Sequence, residues 1–232
     1  MRLLCFPYAG AGASIYYPWS RILPPQIDVY ATQLPGREDR YAEPPSRNLT
    51  FLVDSVIDAI DGLSHKPFAL FGHSMGALLA FEVARTLREM GLEQPVHLFV
   101  SGRQGPQAPF TGEPLHLLPE TDFLLECTRR YQGIPKAILD EPELVKMFLP
   151  ILRADMQAVE TYRYEKRDPL NIPITALHGK EDHSLKPEDI ELWANETLSE
   201  FSCRKLPGSH FFLHSARDQV LEIIRNAVLL RD

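Results

Sequence analysis

Cysteine is scarce in this 232-residue chain, and no apolar run approaches the length needed to span a bilayer. The three cysteines are odd in number and lack Cys-x-x-Cys spacing, so we expect no metal site. The first residues show no secretory apolar segment, and we expect a cytoplasmic protein. No run of Lys or Arg offsets the net charge of −7, which argues against nucleic-acid binding.

Short apolar runs alternate with helical patterns, an order that predicts a parallel sheet covered on both faces by helices. Apolar residues make up 44% of the chain, enough for one core, and we expect a single domain. The predicted strands are 3–7, 27–33, 68–72, 96–101, 172–178 and 201–206. The predicted helices are 15–23, 49–63, 75–90, 187–195 and 216–229.

A Gly-x-Ser-x-Gly motif, with Ser74 between Gly72 and Gly76, joins a predicted strand to a predicted helix. This context is typical of a nucleophile elbow, in which the serine lies on a sharp turn before a helix. Glycine flanks such a serine because the strained turn leaves little room for side chains. We therefore predict that Ser74 is a nucleophile, beside a helix N-terminus that favours a developing negative charge.

A nucleophilic serine needs a base, and the base needs a third group to orient it. In strand–helix hydrolases with this elbow, the chain order is serine, then Asp or Glu, then His, at successive strand ends. Asp182 and His210 follow the last two predicted strands. Their joint occurrence in this order predicts a Ser74–Asp182–His210 triad. Glu181 and Asp155 stay open as alternative carboxylates.

Hydrolysis through an oxyanion requires two backbone N–H donors beside the nucleophile. One is the residue after the serine, Met75, and the other comes from the loop after an early strand, where we predict Ala9. That loop has neither Gly-x-Gly-x-x-Gly nor a Walker lysine, so a phosphate-binding role is not favoured and no cofactor is expected. We expect His73, His178 and His214 to be structural.

The stretch from about residue 103 to 168 breaks the alternation and has no strand pattern. Its apolar stripes fit two or three helices, with Pro150 dividing the last two stripes. Because this stretch follows a strand end beside the predicted nucleophile, we interpret it as a helical lid over an acyl pocket.

At these motifs the chain resembles the stand-alone type II thioesterases that serve nonribosomal peptide and polyketide synthases. The similar segments follow the same order and span nearly the whole chain. They are FPYAG at 6–10, QLPGREDR at 33–40, FGHSMGA at 71–77, VHLFVSGR at 96–103, LRAD at 152–155, ETY at 160–162 and PGSHFFL at 207–213.

The resemblance implies an α/β-hydrolase fold with a mostly parallel sheet of six or seven strands. Its core would comprise about residues 1–102 and 169–232, and its lid about residues 103–168. The implied activity is hydrolysis of aberrant or unwanted acyl groups from the phosphopantetheine arm of carrier proteins. The expected partners are therefore acylated carrier proteins, with no nucleic acid or membrane, and we expect a monomer.

Two arginines, Arg37 and Arg40, lie among three acidic neighbours and have two interpretations. In the first interpretation they contact the phosphate of the arm or an acidic carrier surface. In the second they form a local surface cluster of ion pairs. For Asp155 we expect a pairing with Arg153 or another neighbour within the lid.

Two other functions stay open on the residues alone. A small-molecule carboxylesterase or lipase would use the same triad, and only the resemblance separates it from a thioesterase. A non-catalytic binding protein of this fold is the other alternative. That alternative predicts the loss of a triad member or an elbow glycine, and all of them are present.

Overall fold

A computed structural model describes residues 1–61, 66–109, 112–131, 134 and 136–229. The strands of these residues form one six-stranded sheet in the order β2-β1-β3-β4-β5-β6, and every neighbouring pair is parallel. The strands are β1 (Arg2–Phe6), β2 (Asp28–Ala31), β3 (Phe68–His73), β4 (His97–Ser101), β5 (Ile174–Gly179) and β6 (Phe201–Leu206). All six predicted strands are confirmed, with ends shifted by at most two residues.

Helices occupy most of the connections between these strands. They are α1 (Trp19–Ile22), α2 (Leu49–Asp61), α3 (Met75–Glu89), α4 (Glu120–Tyr131), α5 (Lys136–Leu139), α6 (Pro142–Glu160), α7 (Pro187–Glu191), α8 (Phe212–Ser215) and α9 (Arg217–Leu229). The predicted end of α2 at residue 63 lies outside the described residues. The predicted helix 15–23 is wrong in part: a short 3₁₀ turn and α1 replace it, separated at Pro18, whose nitrogen cannot donate a helical hydrogen bond.

The helix α6 runs without interruption through Pro150, so the expectation that this proline divides two helices is wrong. A proline inside a helix costs roughly 3 kcal/mol, because a hydrogen bond is lost and the ring clashes with the preceding turn. Burial of the following turns offsets this cost, since Ile151, Leu152 and Met156 are all buried. Tertiary packing therefore overrides the local signal of the proline.

Two apolar layers cover the sheet, as the alternation of side chains along each strand requires. In β1, Leu4 packs in the layer that contains α2 and α3, whereas Leu3 and Cys5 pack in the layer that contains α9. Because both faces are covered, the central strands are apolar at nearly every position. A third, smaller apolar cluster joins α4 to α6, and Ala9 packs at its border.

The parallel arrangement places the carboxyl ends of all strands at one edge of the sheet. The loops that follow β1, β3, β5 and β6 therefore open towards the same region, where α4 and α6 also pack. In an open parallel sheet this edge is the usual position of a site. No helix among the described residues is both long and apolar enough to cross a membrane.

Candidate active site

Ser74 lies at the junction of β3 and α3 in a strained backbone conformation, with φ 54° and ψ −112°. Its N–H donates to the Ser101 carbonyl at 2.7 Å, which helps to hold this turn. A Cβ atom at Gly72 would lie 1.9 Å from the carbonyl oxygen of Gly76. A Cβ atom at Gly76 would lie 2.1 Å from the carbonyl oxygen of Phe6. Both glycines are therefore required by the close backbone contacts around the turn.

His210 lies in the loop after β6, and Asp182 lies in the loop after β5. His210 Nε2 is 3.1 Å from Ser74 Oγ, and His210 Nδ1 is 2.7 Å from Asp182 Oδ2. Both side chains are buried, so little water competes for these hydrogen bonds. The structure thus brings together the three side chains that the motif order predicted, with the histidine within hydrogen-bond distance of both the serine and the carboxylate that orients it.

Asp182 has a further partner, Ser184, which the sequence interpretation did not include. The Ser184 N–H and hydroxyl both donate to Asp182 Oδ1, at 3.0 and 2.6 Å. Burial alone would raise the pKa of the Asp182 carboxyl, but the hydrogen bonds from His210 and Ser184 outweigh it and hold the pKa below its usual value. Asp182 is therefore kept ionised. The spacing Asp-x-Ser, typical of a side-chain turn, was the available signal for Ser184.

The two alternative carboxylates have other partners. Glu181 accepts a hydrogen bond from the Gly208 N–H and so ties the β5 loop to the β6 loop. Asp155 lies on α6 and is bound to Arg37 and Gly10. Neither carboxylate is hydrogen-bonded to His210 in the described structure.

The two predicted oxyanion donors line the same cavity as Ser74 and His210. Met75 is the first residue of α3, so its N–H has no acceptor within the helix. Ala9 lies just beyond β1, in the loop on the other side of Ser74. Among the hydrogen bonds of the described residues, none is donated by the N–H of Met75 or of Ala9. Met75 and Ala9 therefore stay the predicted oxyanion donors.

His73 lies fully buried beneath the site, as its expected structural role requires. Its Nδ1 is 2.9 Å from Ser101 Oγ, and its ring centroid is 5.3 Å from that of His210. Burial lowers the pKa of His73 well below its usual value, and the charges of His210 and His214 lower it further. His73 is therefore neutral, and it places no positive charge against His210.

The other two histidines that we expected to be structural lie outside this arrangement. His178 is buried within β5. His214 lies on α8, where its Nε2 is 3.0 Å from the Tyr8 hydroxyl. In the described part of the chain, no group of three or more His, Cys, Asp or Glu side chains is arranged to hold a metal ion.

Two cavities meet at Ser74 and His210. They share Arg103, Tyr131, Met156 and Val159, and the second has more polar groups in its lining than the first, so we call them the apolar and the polar cavity. The apolar cavity extends beneath α4 and α6, and its further lining residues include Cys127, Ile134, Phe148, Leu152, Met156 and Val159. The polar cavity opens on the side of the β4 and β5 loops, and its further lining residues include Arg103, Arg129, Arg130, Glu160, His183 and Ser184. An extended substrate that reaches Ser74 can thus place an apolar part on one side and a polar part on the other.

The arginines of the segment after β2 are placed differently from one another. Arg40 pairs at the surface with Glu43 at 2.6 Å, in keeping with the interpretation as a local ion-pair cluster. Arg37 is only 3% exposed and forms two hydrogen bonds with Asp155, so neither interpretation of Arg37 is correct. The expected pairing of Asp155 with Arg153 is also wrong, since Arg153 donates to backbone carbonyls instead.

The parallel sheet, the serine on its strained turn and the helices over the strand ends define the α/β-hydrolase class. Comparison with known proteins narrows this class. The family model described as "Thioesterase domain" matches residues 1–228, and the chain belongs to the thioesterase family. It is accordingly a hydrolase that acts on thioesters.

Individual relatives agree with this assignment. The gramicidin S biosynthesis protein GrsT of Aneurinibacillus migulanus is 45% identical over 224 residues, which cover 97% of this chain and 87% of the relative. The thioesterase RedJ from the prodiginine biosynthetic pathway in Streptomyces coelicolor superposes with a TM-score of 0.92 at 40% identity, covering 98% of this chain and 90% of RedJ. The type II thioesterase BorB from the borrelidin biosynthetic cluster gives a TM-score of 0.89 at 39% identity, and the match covers 97% of this chain and 91% of BorB.

Proposed function

We propose that this chain is a type II thioesterase that removes unwanted acyl groups from the phosphopantetheine arm of carrier proteins in nonribosomal peptide or polyketide biosynthesis. The observation that carries the proposal is the continuous hydrogen-bonded chain from Asp182 through His210 to Ser74, at the junction of two cavities of different polarity. Two similar solved structures support the choice of substrate: BorB is a type II thioesterase, and YbtT, with a TM-score of 0.85 at 29% identity, is a type II thioesterase from the yersiniabactin NRPS/PKS biosynthetic pathway.

The two cavities fit the two parts of an acyl-phosphopantetheine. The apolar cavity suits an acyl chain, because its walls between α4 and α6 are made of aliphatic, aromatic and sulfur-containing side chains. The polar cavity suits the arm, since its lining includes three arginines and a single glutamate. Arg129 and Arg130 share Glu126 as their partner, so the lining keeps only a small excess of positive charge. Any attraction of an acidic carrier must still be local, because the chain as a whole carries a net charge of −7.

In the proposed reaction, Ser74 Oγ attacks the thioester carbonyl and His210 Nε2 takes the serine proton. The carbonyl oxygen becomes an oxyanion that the N–H groups of Met75 and Ala9 stabilise. Collapse of this intermediate breaks the carbon–sulfur bond, and the departing arm sulfur takes the proton from His210 to form the free thiol; a thiolate leaves readily and needs less help from a general acid than an amine would. His210 then removes a proton from water, and the resulting attack releases the carboxylic acid and restores Ser74.

About residues 103–168 form a lid on the core in this proposed mechanism. Within this stretch, α4 and α6 form the small apolar cluster next to Ala9 and line the apolar cavity. A helical insert in this position can close over an acyl group and keep bulk water from the thioester until the arm leaves.

The test is hydrolysis of an acetylated carrier protein beside a matched simple ester, by the wild type and by Ser74→Ala. We expect rapid deacylation of the carrier, weak ester cleavage, and loss of both in Ser74→Ala. Ser20→Ala is a matched control, because this exposed serine lies on α1, where its hydroxyl donates to the Tyr17 carbonyl, and it lines neither cavity at Ser74. Efficient ester cleavage with the carrier left acylated would instead identify a general esterase.

A further inference from the structure

One buried ion pair connects three separate parts of the chain at the loop that carries Ala9. Arg37 Nη1 and Nη2 donate to the two carboxylate oxygens of Asp155 at 2.6 and 2.8 Å. Arg37 lies in the segment after β2, and Asp155 lies on α6. The side chains are 3% and 0% exposed. A bidentate ion pair of this kind fixes the orientation of both side chains, whereas a single hydrogen bond does not.

The ion pair is also bonded to the backbone of the loop after β1. The Gly10 N–H donates to Asp155 Oδ2 at 2.7 Å, and the Ala11 carbonyl accepts from Arg37 Nη1 at 3.2 Å. Asp155 thus fixes the peptide unit directly after Ala9. Because the orientation of one peptide unit restricts that of the unit before it, Asp155 restricts the direction of the Ala9 N–H.

The same helix contacts this loop at a second point. Gly10 has φ +82°, and a Cβ at this position would lie 2.8 Å from the ring of Phe148 on α6. Phe148 and Asp155 are seven residues apart and lie on one face of the helix. The loop is therefore packed against α6 through Phe148 and hydrogen-bonded to it through Asp155.

We propose that Arg37 and Asp155 are positioning residues, which hold the Ala9 N–H towards the oxyanion and so couple α6 to the catalytic loop. This inference rests on the proposed function, because it takes Ala9 as an oxyanion donor. Neither residue touches the reacting atoms. Both act on the reaction through Gly10 and Ala11.

The test replaces both partners at once, by Arg37→Met together with Asp155→Leu. Removing a single partner would leave a buried charge without compensation and destabilise the fold, whereas an apolar pair of similar volume is often tolerated. In the double variant the Gly10 N–H loses its acceptor, and no buried charge remains unpaired. If this variant does not fold, Arg37→Gln together with Asp155→Leu provides the same comparison, because it also removes both charges and the acceptor of the Gly10 N–H but keeps a side-chain donor for the Ala11 carbonyl.

The readout is the affinity for a short alkylthio trifluoromethyl ketone relative to the matched methyl ketone. Addition to the trifluoromethyl ketone forms a bond from Ser74 Oγ to the carbonyl carbon, moves the carbonyl electron pair onto oxygen and passes the serine proton to His210. The methyl ketone binds the same cavities without forming this oxyanion. The ratio of the two affinities therefore reports on formation of the oxyanion adduct, and in variants that leave Ser74, Asp182 and His210 unchanged a fall in the ratio points to the oxyanion donors.

We expect the double variant to bind the methyl ketone as the wild type does and to lose about 10²-fold in affinity for the trifluoromethyl ketone, the scale of one oxyanion donor. On thioester substrates kcat should fall by a similar factor while KM changes little. An unchanged affinity ratio in the folded double variant would overturn the inference and leave the ion pair with a structural role only.

A second, partly buried ion pair provides the control. Arg85 and Glu82, both on α3, are paired at 2.9 Å away from the loop after β1. Arg85→Met together with Glu82→Gln removes both charges, keeps the acceptor for the Tyr162 hydroxyl and should leave the affinity ratio unchanged. A fall in the ratio in this control as large as in the Arg37 and Asp155 double variant would also contradict the inference. Failure of the wild type to deacylate a carrier would count against the proposed function, whereas the ketone comparison would still report on the ion pair.

Discussion

The two sides of Ser74 are held in place in different ways. On the base side, which we define as residues 180–186 and 207–211, the loops after β5 and β6 are bonded to each other. The Lys180 N–H donates to the Leu206 carbonyl at 2.8 Å, and the Glu181 N–H donates to the Gly208 carbonyl at 3.1 Å. These backbone bonds continue the pairing of two neighbouring strands. The position of Asp182 and His210 is therefore a consequence of the sheet.

On the donor side, defined as residues 7–14, the loop after β1 depends on side chains from elsewhere. Gly10 and Ala11 bind the pair formed by Asp155 and Arg37, and the Ala13 N–H donates to the Gln33 side chain at 2.8 Å. A side chain can be removed by one substitution, whereas a strand pairing cannot. The comparison implies that single substitutions damage the chemistry on the base side and both the chemistry and the fold on the donor side.

The largest expected effect is on the base side, in Asp182→Asn. Without the carboxylate the His210 ring loses the partner that fixes its tautomer, and kcat should fall by about 10³–10⁴ while the melting temperature changes little. The measurement is single-turnover deacylation of a carrier protein together with thermal unfolding. Glu181→Gln is the matched control, and we expect it to lose less than about tenfold, the equivalent of roughly 1.4 kcal/mol. A larger loss in Glu181→Gln than in Asp182→Asn would assign the carboxylate role to Glu181.

The second effect contrasts the donor side with the surface next to it, in Arg37→Ala and Arg40→Ala. Arg37→Ala leaves the Asp155 carboxylate buried without its ion pair, and the free energy of unfolding should fall by about 3–5 kcal/mol. Arg40 is 38% exposed and Glu43 is 46% exposed, so Arg40→Ala should cost about 1 kcal/mol or less. Urea unfolding at constant pH measures both variants. Equal losses in the two variants would remove the distinction between a buried and a surface pair.

The base side could be predicted from the sequence because its information is local. A strand of apolar residues followed by a turn marks the position of Asp182 and of His210, and the elbow glycines mark Ser74. The six strands were found for the same reason, since each is a short apolar run between helical patterns. The parallel register then brings together loops that are far apart in the chain.

The donor side could not be predicted in the same way. Arg37 and Asp155 are 118 positions apart, and nothing near either residue identifies its partner. The available signal was weak: Asp155 is a charged residue between Leu152 and Met156 on an apolar helical stripe, which suggests a buried partner. The continuation of α6 through Pro150 was missed for a related reason, because the local rule does not include the packing of the helix.

The smallest expected effect is on stability in acid. It concerns His73, whose ring lies against that of His210 on the base side. Burial holds the pKa of His73 in the folded chain well below its usual value of 6.5. Near pH 6.5 His73 therefore binds a proton in the unfolded chain but not in the folded chain. The contribution of His73 to stability is thus complete above pH 6.5 and falls as the pH decreases towards the folded pKa, by at most about 1.4 kcal/mol per pH unit.

The measurement is urea unfolding of the wild type and of His73→Gln between pH 7.5 and 5. The free energy of unfolding should depend less steeply on pH in the variant. His214→Gln should flatten it less, because His214 is exposed and loses less hydration. If the free energy of unfolding depends on pH equally in the wild type and in His73→Gln, His73 binds its proton in the folded chain as well, and other groups cause the acid sensitivity.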